Sequence, residues 1–578
     1  MLKDEIVRYL TEEATRPLRM RELARALRIT RKQHGVFRAL LRELMSEERI
    51  YYLKGRGYVS RGLPDNPQAE MEDLVLRAGL SEEFPDEVEV EAHTAASHPI
   101  EDEIGRRVDL REMVVFTIDP ADAKDFDDAV SIQCHQDGGW TVEIHIADVS
   151  HYVRDDTRLD AEAWERGTSV YLVDRVIPML PEALSNSACS LWLGEDRLTF
   201  SCFVRLDAEG HTQGADFTDT VIRSRARLNY EQAQQIIDAG EDADAVAGPE
   251  VTAALCEMAR VAQLLTRKRR ERGSIDFDLP EPIVELDKEG FPVAVRERLR
   301  LASHRLIEEF MILANEAVAQ YAGNLGLPFI YRVHEEPDPK QMEEFRQFIK
   351  SLGYSLPRSA QTSPRMLSEL LQRVEGKRAE SLVNKVLLRH MQQAHYGVDN
   401  VGHFGLASRS YCHFTSPIRR YPDLVVHRLL RRYRQEVPTG SALEHLEGWL
   451  RATAEQASET ERAAMEAERD SIKLKQIAFM EQHIGDVFPG IISGVTGFGL
   501  FVELEELLVD GLIHVSDLGD DYYLYEEGRY RLVGERTGDQ FRLGDRIVVQ
   551  VVRADRALRQ LDFIPAPDDG PGAANPET

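Results

Sequence analysis

The sequence at residues 117–130 reads TIDPADAKDFDDAV, which places four carboxylates with the pattern D-x5-D-x-D-D, besides Asp122, in one short loop between two strand-like runs. The four are Asp119, Asp125, Asp127 and Asp128. Carboxylates held this close repel one another, and a cation relieves that repulsion. Because the loop contains no His or Cys, its oxygen ligands favour Mg²⁺, with Mn²⁺ as the alternative, over zinc.

Two simpler interpretations of this loop remain open. An EF-hand needs Gly at its sixth position and Glu at its twelfth, and neither stands in register here, so a calcium-storage site is disfavoured. A solvated acidic turn is harder to exclude, because Asp is a common loop residue. A metal site for phosphate chemistry is the leading hypothesis, and it requires partners elsewhere in the chain.

The 578 residues suffice for three or four domains. No apolar run reaches membrane-spanning length, and the first residues have no signal-peptide character, so we expect a cytoplasmic protein without a membrane segment. The five cysteines include no C-x-x-C pair, which predicts reduced thiols rather than a zinc module. The net charge of −29 would repel nucleic acid on average, so any such site must be a local basic surface.

Residues 1–60 predict a winged helix-turn-helix, with three short helices followed by a hairpin around a Gly-rich turn. Residues 1–59 contain 14 basic and 8 acidic side chains, a local excess of +6. The basic residues at its recognition helix and wing tip are Arg31, Lys32, Arg38, Lys54 and Arg56. Nucleic-acid contact is the favoured role, and a protein-interaction module is the alternative. Residues 61–83, which begin with a Gly/Pro-bearing stretch, are expected to be a linker.

Residues 84–480 show no internal break and predict one large mixed α/β domain, with strand patterns first and helical periodicity later. A basic run, Arg267 to Arg270, precedes Gly273, and we interpret it as the cationic end of a helix with its glycine cap. The overall fold class is therefore multidomain α+β.

After Gly485 the pattern changes to short β runs, and residues 485–565 resemble an S1 RNA-binding domain, an OB-type barrel. Phe498, Phe501 and His514 match the positions at which that family presents groups for stacking on bases. Both Phe residues could instead belong to the core, although alternation makes Leu500 the expected inward residue. The tail, 566–578, is rich in Pro, Gly and Ala and is expected to be disordered.

Two further motifs support a specific family. Residues 145–149 read HIADV, and residues 403–407 and 411–423 read HFGLA and YCHFTSPIRRYPD. Together with the acidic loop, these motifs closely resemble the ribonuclease II family, whose catalytic unit is the RNB domain. The resemblance covers 84–480.

This resemblance implies a Mg²⁺-dependent, processive 3′-to-5′ exoribonuclease that hydrolyses single-stranded RNA to nucleoside 5′-monophosphates in RNA turnover. It implies that the four aspartates hold the metal and that Arg419 is the catalytic arginine. The chemistry fits, because two-metal phosphoryl transfer needs clustered carboxylates and the charged phosphate needs a fixed fork of donors. Arg420 matches an RNA contact, although a helix-entry role is its alternative.

The resemblance also implies RNA-binding residues, matched one at a time. Tyr171 and Phe277 resemble the aromatic pair that clamps the 3′-terminal bases, although each alone could be a core residue. Tyr230 and either Glu308 or Glu309 match contacts to the terminal ribose, whose 2′-hydroxyl distinguishes RNA from DNA. Two cold-shock barrels usually precede this catalytic domain, and about 80 residues cannot hold two barrels and the winged helix, so we expect that the family's three-barrel RNA clamp does not form in its usual way.

Two other functions compete with this reading. An RNA-binding regulator on a degenerate RNB scaffold would be expected to lack an aspartate ligand or the arginine, and all are present here. A deoxyribonuclease recruited by the winged helix would be distinguished by comparing matched RNA and DNA substrates.

Overall fold

The computed structural model describes most of the chain. The described residues are 2–12, 18–27, 29, 34–46, 49–53, 57–60, 67–240, 244–277, 279–357, 362–377, 379–556 and 558–566. Within these ranges, no helix combines the length and the apolar character needed to cross a membrane. All five cysteines are free thiols. The residues expected to form the disordered tail, 566–578, lie outside the described part except for residue 566.

The N-terminal region has its own small core, formed by buried side chains such as Ile6, Leu23 and Phe37. Its elements are α1 (Leu2–Glu12), α2 (Met20–Ala26), α3 (His34–Ser46), β1 (Ile50–Leu53) and β2 (Gly57–Ser60). The two strands pair antiparallel, and Leu18 forms a bridge to Tyr58. The element order agrees with the expected motif, and its nucleic-acid role stays a prediction. Arg38 is exposed on α3, whereas the predicted contacts Arg31, Lys32, Lys54 and Arg56 lie outside the described residues.

The segment expected to be a linker contains a helix, α4 (Pro67–Arg77). Met71, Leu74 and Val75 have the i, i+3, i+4 spacing of one helical face and are buried. They pack with Ala464 and Leu474 of the long helix Ser441–Glu481. The linker prediction is therefore wrong from residue 67 onward, because this apolar face is covered by the body of the protein.

The large α/β domain continues through a set of helices and strands. They are α5 (Asp86–Ala96), α6 (Glu101–Ile104), β3 (Val108–Asp109), β4 (Phe116–Asp119), β5 (Asp128–Cys134), β6 (Trp140–Ala147), α7 (Val149–Tyr152), α8 (Arg158–Arg166), β7 (Val170–Tyr171), β8 (Val176–Ile177), β9 (Asp196–Leu206), β10 (Thr212–Arg223), β11 (Ala226–Asn229), α9 (Tyr230–Ala239), α10 (Asp244–Ala247), α11 (Pro249–Arg272), β12 (Pro282–Leu286), β13 (Pro292–Glu297), α12 (Ala302–Leu325), β14 (Tyr331–Val333), α13 (Pro339–Ser351), α14 (Pro364–Val374), α15 (Glu380–His390), β15 (His395–Gly397), α16 (Tyr421–Gln435) and α17 (Ser441–Glu481).

A seven-stranded mixed sheet organises this domain, with the order β11-β4-β5-β6-β9-β10-β3. The pairs β11–β4 and β10–β3 are parallel, and the other neighbours are antiparallel. A polar ladder crosses the buried sheet, in which His145 bonds Ser131 at 2.9 Å and Ser201 at 2.7 Å. Such groups are tolerated inside a core because they satisfy one another.

The C-terminal domain is a closed barrel with the strand order β16-β17-β18-β23-β22 and a three-stranded extension. Its strands are β16 (Val487–Thr496), β17 (Gly499–Leu504), β18 (Asp510–His514), β19 (Tyr523–Glu526), β20 (Arg531–Gly534), β21 (Gln540–Arg542), β22 (Arg546–Asp555) and β23 (Gln560–Pro565). The parallel contact between β18 and β23 closes the OB-type barrel.

The barrel interior is continuous with the helices α13 to α15. Leu500 and Phe563 inside the barrel belong to the same buried cluster as Phe345 and Leu387 of those helices. The rings of Phe348 and Tyr530 meet edge to face with centroids 5.4 Å apart. The barrel and the catalytic domain therefore share one apolar core.

Candidate active site

The acidic loop joins β4 to β5 and is anchored by Phe126 at its centre. The Phe126 ring is fully buried, contacts Trp192 at a centroid distance of 5.0 Å, and lies under the Arg227 guanidinium at 4.7 Å. Its backbone N–H donates to Ser190 Oγ at 3.0 Å, and Ser190 Oγ donates to Lys124 O at 2.7 Å. The apolar residue in the middle of the acidic run thus holds the neighbouring carboxylates in place.

Asp127 links this loop to the motif at residues 411–423. Its Oδ1 accepts a hydrogen bond from Ile418 N at 2.8 Å, and its Oδ2 lies 3.7 Å from Arg419 Nε. Its backbone carbonyl accepts from Ala147 N at 2.8 Å. The structure therefore brings together Asp127 and Arg419, the two residues with the most specific predicted roles.

The segment that carries Arg419 is fixed mainly through its backbone. Arg419 O accepts hydrogen bonds from Ser169 N at 2.9 Å and from Thr168 Oγ1 at 3.0 Å. The Arg419 side chain keeps 43% of its surface exposed, and its Nη2 donates to Ser416 Oγ at 3.2 Å. Its guanidinium is thus positioned by the backbone while remaining accessible to an incoming anion.

Arg420 has a different environment from Arg419. Its guanidinium donates to both carboxylate oxygens of Asp423, at 2.7 and 2.9 Å, and Asp423 Oδ1 also accepts from Ser416 N at 2.8 Å. Arg420 is also the residue that precedes α16. The structure therefore favours the helix-entry role for Arg420 over the RNA contact that we expected.

Three of the four aspartates have a raised pKa. Burial raises the pKa of Asp119, and the charges of Asp128 and Asp125 add to that increase. Burial also raises the pKa of Asp127 and raises that of Asp128 to about 6, and in both cases the Arg419 charge opposes the increase. Such a group of buried, mutually repelling carboxylates is stabilised by a bound cation.

The donor chemistry of the loop fits a hard divalent cation, because every candidate ligand atom is a carboxylate oxygen. One of these atoms, Asp119 Oδ2, is buried and has no hydrogen-bond partner in the structure. Within the described residues, however, no three of the loop carboxylates lie within 4.8 Å of one another. The one His/Cys/Asp/Glu group that meets this distance is Asp207, Glu209 and His211, on the β9–β10 hairpin.

Tyr171 and Phe277, the expected base clamp, occupy different surroundings. Tyr171 OH donates to Asp125 Oδ2 at 3.3 Å. Burial raises the pKa of Tyr171, which also lies in the field of Arg419 and Asp127. Phe277 is partly buried and packs against the core that the barrel shares with α13 to α15. Tyr171 therefore belongs to the carboxylate cluster, whereas Phe277 lies toward the barrel side of the domain.

Tyr230 starts α9 directly after β11, whose last residue pairs with Asp119 in parallel register. Parallel neighbours end at the same sheet edge, which brings Tyr230 to the carboxylates. Burial raises the pKa of Tyr230, and the charges of Asp128 and Asp119 contribute. Its ring stacks on His304 at a centroid distance of 4.0 Å.

The two candidate ribose contacts on α12 differ sharply. Glu309 is only 4% exposed and accepts from Arg269 Nε at 3.0 Å and from Thr266 Oγ1 at 2.9 Å. Glu308 is half-exposed and accepts from Arg300 Nη2 at 2.7 Å. The structure thus commits Glu309 to a buried ion pair and leaves Glu308 as the candidate on the accessible face.

The three candidate stacking residues of the barrel lie on its outer surface. Phe498 and Phe501 are 51% and 36% exposed, and their rings meet edge to face at 5.9 Å. His514 is also exposed and lies opposite Gly499 across the β17–β18 pair. Leu500 is fully buried, so the predicted alternation along β17 is confirmed.

Sequence reasoning missed Asn315 as a positioning residue. Its Oδ1 accepts from Phe414 N at 2.9 Å and its Nδ2 donates to Tyr411 OH at 3.1 Å, which fixes the segment leading to Arg419. The available signal was a single buried amide within the apolar run of α12. Arg227 was also missed, and it donates to two carbonyl groups of the acidic loop, Ala121 O at 2.9 Å and Ala123 O at 3.0 Å.

Comparisons with known proteins identify two domains in the chain. The family model for the RNB domain matches residues 107–436, and the model for the S1 RNA binding domain matches residues 481–563. Ribonuclease R of Thermotoga maritima is 43% identical over 87% of this chain and 71% of its own length. Ribonuclease R 1 of Lactococcus lactis is 41% identical over 87% of this chain, and the chain spans 61% of that relative.

A solved structure extends the comparison to three dimensions. Mycoplasma genitalium RNase R in complex with ribose methylated single-stranded RNA matches with a TM-score of 0.83 at 28% identity. The match covers 88% of this chain and 80% of that one. The RNB model covers more than half of the residues and the relatives align over most of this chain. The chain therefore belongs to the RNB family of hydrolytic exoribonucleases.

Proposed function

We propose that this protein is a processive exoribonuclease that degrades single-stranded RNA from a free 3′ end to nucleoside 5′-monophosphates with Mg²⁺, Mn²⁺ being the alternative. Each cycle adds water across one phosphodiester. The hydroxyl joins phosphorus, the P–O3′ bond breaks, and the proton goes to the 3′ oxygen of the shortened chain. Five free thiols agree with the reducing cytoplasm as the place of this reaction.

The observation that carries the proposal is the joint position of Asp127 and Arg419. A carboxylate and a guanidinium meet at 3.7 Å beside three further aspartates, and the guanidinium remains accessible. Arg offers a planar fork of donors, which suits a phosphate whose charge changes during the reaction. Because its backbone is fixed by Thr168 and Ser169, the fork is oriented before the substrate arrives.

Asp119, Asp125, Asp127 and Asp128 would hold the metal. When bound, a divalent cation at such carboxylates supplies an activated water and stabilises the leaving oxygen. The protein itself keeps Asp127 oriented, because the Ile418 N–H occupies Oδ1 and leaves Oδ2 toward the site. The buried Asp119 Oδ2 without a hydrogen-bond partner supports the same assignment.

The strand would be held by aromatic and polar groups around this centre. We assign the base clamp to Tyr171 and Phe277 and the terminal ribose to Tyr230 and Glu308. Tyr230 is held by its stack on His304 and by the hydrogen bond that Ser303 Oγ donates to its carbonyl at 2.8 Å. A ribose contact by Glu308 would give preference for RNA, since the 2′-hydroxyl offers a donor that DNA lacks.

The exposed Phe498, Phe501 and His514 would bind RNA upstream of the cleaved end. Aromatic faces accept any base, which suits an enzyme that acts without sequence preference. The basic excess in residues 1–59 supports a further contact there, which would assist with structured substrates that carry a 3′ overhang.

Purified full-length protein with 5′-labelled single-stranded RNA tests the proposal. We expect Mg²⁺-dependent release of mononucleotides from the 3′ end, no release in EDTA, and little digestion of a DNA oligonucleotide of the same sequence. If digestion is processive, undigested RNA and the final products should be more abundant than RNAs of intermediate length.

Binding of RNA without any hydrolysis in Mg²⁺ or Mn²⁺ would instead support a regulatory RNA-binding protein on this scaffold. Equal digestion of the matched DNA would support the deoxyribonuclease alternative and contradict the role proposed for Glu308.

A further inference from the structure

The basic run Arg267 to Arg270 on α11 is only partly explained by the end of that helix. Gly273 does cap the helix, with φ of 102° in the left-handed region. Arg269 is buried in its pair with Glu309, and Lys268 Nζ lies 2.9 Å from His211 Nε2. The other two members, Arg267 and Arg270, are exposed and line a cavity.

This cavity has a volume of about 550 Å³ and lies between α9, α11, α12 and α14. Its charged lining consists of Arg267, Arg270, Arg305, Arg365, Glu271 and Glu369, a local charge of +2. Arg365 Nε donates to Glu369 Oε1 at 3.0 Å and Arg270 Nη2 lies 3.6 Å from Asp276 Oδ2, so an anion would compete with these two carboxylates. The whole chain carries −29, so the lining opposes the average charge of the protein. A concentration of arginines in a concave site favours an anion and suits the oxygens of a phosphate.

The cavity also has an apolar side, formed by residues such as Ile237, Ala259 and Ala262. Along α11, a rise of 1.5 Å per residue places Ala262 about 8 to 12 Å from Arg267 and Arg270. A ligand that fills both ends therefore has an anionic group joined to a weakly polar group. The volume falls within the range of small-molecule sites, which is about 300 to 1,000 Å³.

Two helix N-termini add to the positive potential of the cavity. Ala302 is the first residue of α12 and Arg365 is the second residue of α14, and both line the cavity. The first turn of a helix carries a partial positive charge, so an anion between these two ends is stabilised beyond its contacts with the guanidinium groups.

The cavity and the candidate active site share one wall. Ala302, Arg305 and Leu306 on the first turn of α12 line the cavity, and His304 on the same turn stacks on Tyr230. The first turn of α12 therefore contributes side chains both to the cavity and to the surroundings of Tyr230.

We propose that this cavity is a second nucleotide site, separate from the catalytic carboxylates, that binds a nucleoside 5′-monophosphate. The phosphate lies against Arg267, Arg270 and Arg365, and the base lies against the Ala259 and Ala262 side. The assignment of a nucleotide as the ligand rests on the proposed function. The positive charge and the apolar side of the cavity are observed independently of that function.

Isothermal titration calorimetry of the full chain tests this site. The protein is kept in EDTA and saturated with a ribose-methylated oligonucleotide, so that neither RNA hydrolysis nor AMP binding at the candidate active site contributes to the measured heat. The titrants are AMP, ribose 5-phosphate, inorganic phosphate and adenosine. Gln263→Glu puts a negative charge on an exposed, nearly isosteric side chain of the lining, and the Arg267→Gln/Arg365→Gln double variant removes two positive charges.

Arg432→Gln on the exposed surface of α16 is the matched control, and thermal melts verify that every variant is folded. We expect one saturable AMP site that both cavity variants weaken at least tenfold and the control leaves unchanged. AMP should bind more tightly than ribose 5-phosphate, inorganic phosphate or adenosine.

Two results would overturn the proposal: no saturable AMP binding to the wild type, or AMP binding that the folded cavity variants leave unchanged. Equal affinity for AMP and inorganic phosphate would overturn the nucleotide assignment and show a simple anion site. Because the measurement involves no hydrolysis, loss of this site and failure of the proposed activity give separate results.

Discussion

Asp127 Oδ1 accepts a 2.8 Å hydrogen bond from the backbone N–H of Ile418, a residue 291 positions later in the chain. This bond joins the acidic loop to the segment that carries Arg419. The hydrogen bond keeps the Asp127 carboxylate in one orientation, so that Oδ2 lies on the side of Arg419. Oδ1 therefore accepts the backbone hydrogen bond, and Oδ2 lies beside the Arg419 guanidinium.

Asp127→Asn should abolish most turnover while preserving the fold and RNA binding. Asn keeps the carbonyl oxygen that accepts the Ile418 N–H, but it removes the negative charge that the metal and Arg419 require. We expect kcat to fall at least 100-fold, since each ~1.4 kcal/mol of lost transition-state stabilisation is a factor of ten. A time course of mononucleotide release beside a mobility-shift titration measures both effects.

Asp122→Asn, in an exposed position of the same loop, is the control and should leave turnover unchanged. Near-normal turnover of Asp127→Asn at saturating Mg²⁺ would refute the metal site.

Arg419→Lys and Arg420→Lys should fail in different ways although the residues are adjacent. The accessible Arg419 loses its fork of donors, so turnover should drop by one to two orders of magnitude with little change in melting temperature. Arg420 loses a two-point pair with Asp423, which should lower stability by about 1 to 3 kcal/mol. Chemical denaturation and saturating kinetics, measured on both variants, separate these effects. If both variants lost turnover without losing stability, or both lost stability, the separate roles of Arg419 in turnover and Arg420 in stability would be contradicted.

Asp148 should be a large contributor to stability away from the catalytic centre. Burial by itself would raise its pKa, but the charges of Arg431 and Arg107 outweigh burial and hold the pKa of Asp148 well below its usual range. A carboxylate with a lowered folded pKa stabilises the protein above its unfolded pKa of about 4, and the contribution is lost as the pH falls through the folded value.

Asp148→Asn should therefore destabilise the protein by about 3 to 5 kcal/mol at pH 7, because it leaves two arginines without their buried partner. Urea denaturation from pH 8 to pH 3 measures the difference. The difference in the free energy of unfolding between wild type and variant should stay constant above pH 5 and become smaller below about pH 4. A gap that widens with acid would contradict the sign of the pKa shift.

Phe498→Ala and Phe501→Ala should weaken RNA binding by about 1 to 3 kcal/mol each and leave turnover at saturating RNA unchanged, because stacking lies outside the catalytic centre. Point variants are preferable to removal of the barrel. Its interior is continuous with α13 to α15, so deletion would expose the apolar surface of the catalytic domain. Val548→Ala, an exposed apolar residue on β22, serves as control. Fluorescence anisotropy with labelled RNA gives the affinities, and unchanged binding would remove the barrel face from the RNA path.

The candidate site could be proposed from the sequence because its parts are local. The aspartates of one short loop predict a metal site by residue type and spacing, and Arg419 was identified by the resemblance of its motif to the RNB family. The helix α9, Tyr230–Ala239, is likewise set by local features, because an amphipathic pattern and a capping Asn229 act over a few residues.

Other features depended on which elements pack together, and no local pattern contains that information. Adjacent residues of a helix point about 100° apart, so the packing of α12 against α11 sends Glu309 into a buried pair with Arg269 and leaves Glu308 on the accessible side. The same reasoning applies to Arg419 and Arg420, whose roles are separated by the position of Asp423.

The sequence by itself determined the family and the order of the RNB and S1 domains, because the motifs that carry the resemblance are local features of the chain. Only the tertiary structure decided the hydrogen bond between Ile418 and Asp127, the helical nature of α4 and the arginine-lined cavity. Each of these arises where residues distant in the chain meet, and burial and charge pairing at such contacts are set by the packing of whole elements.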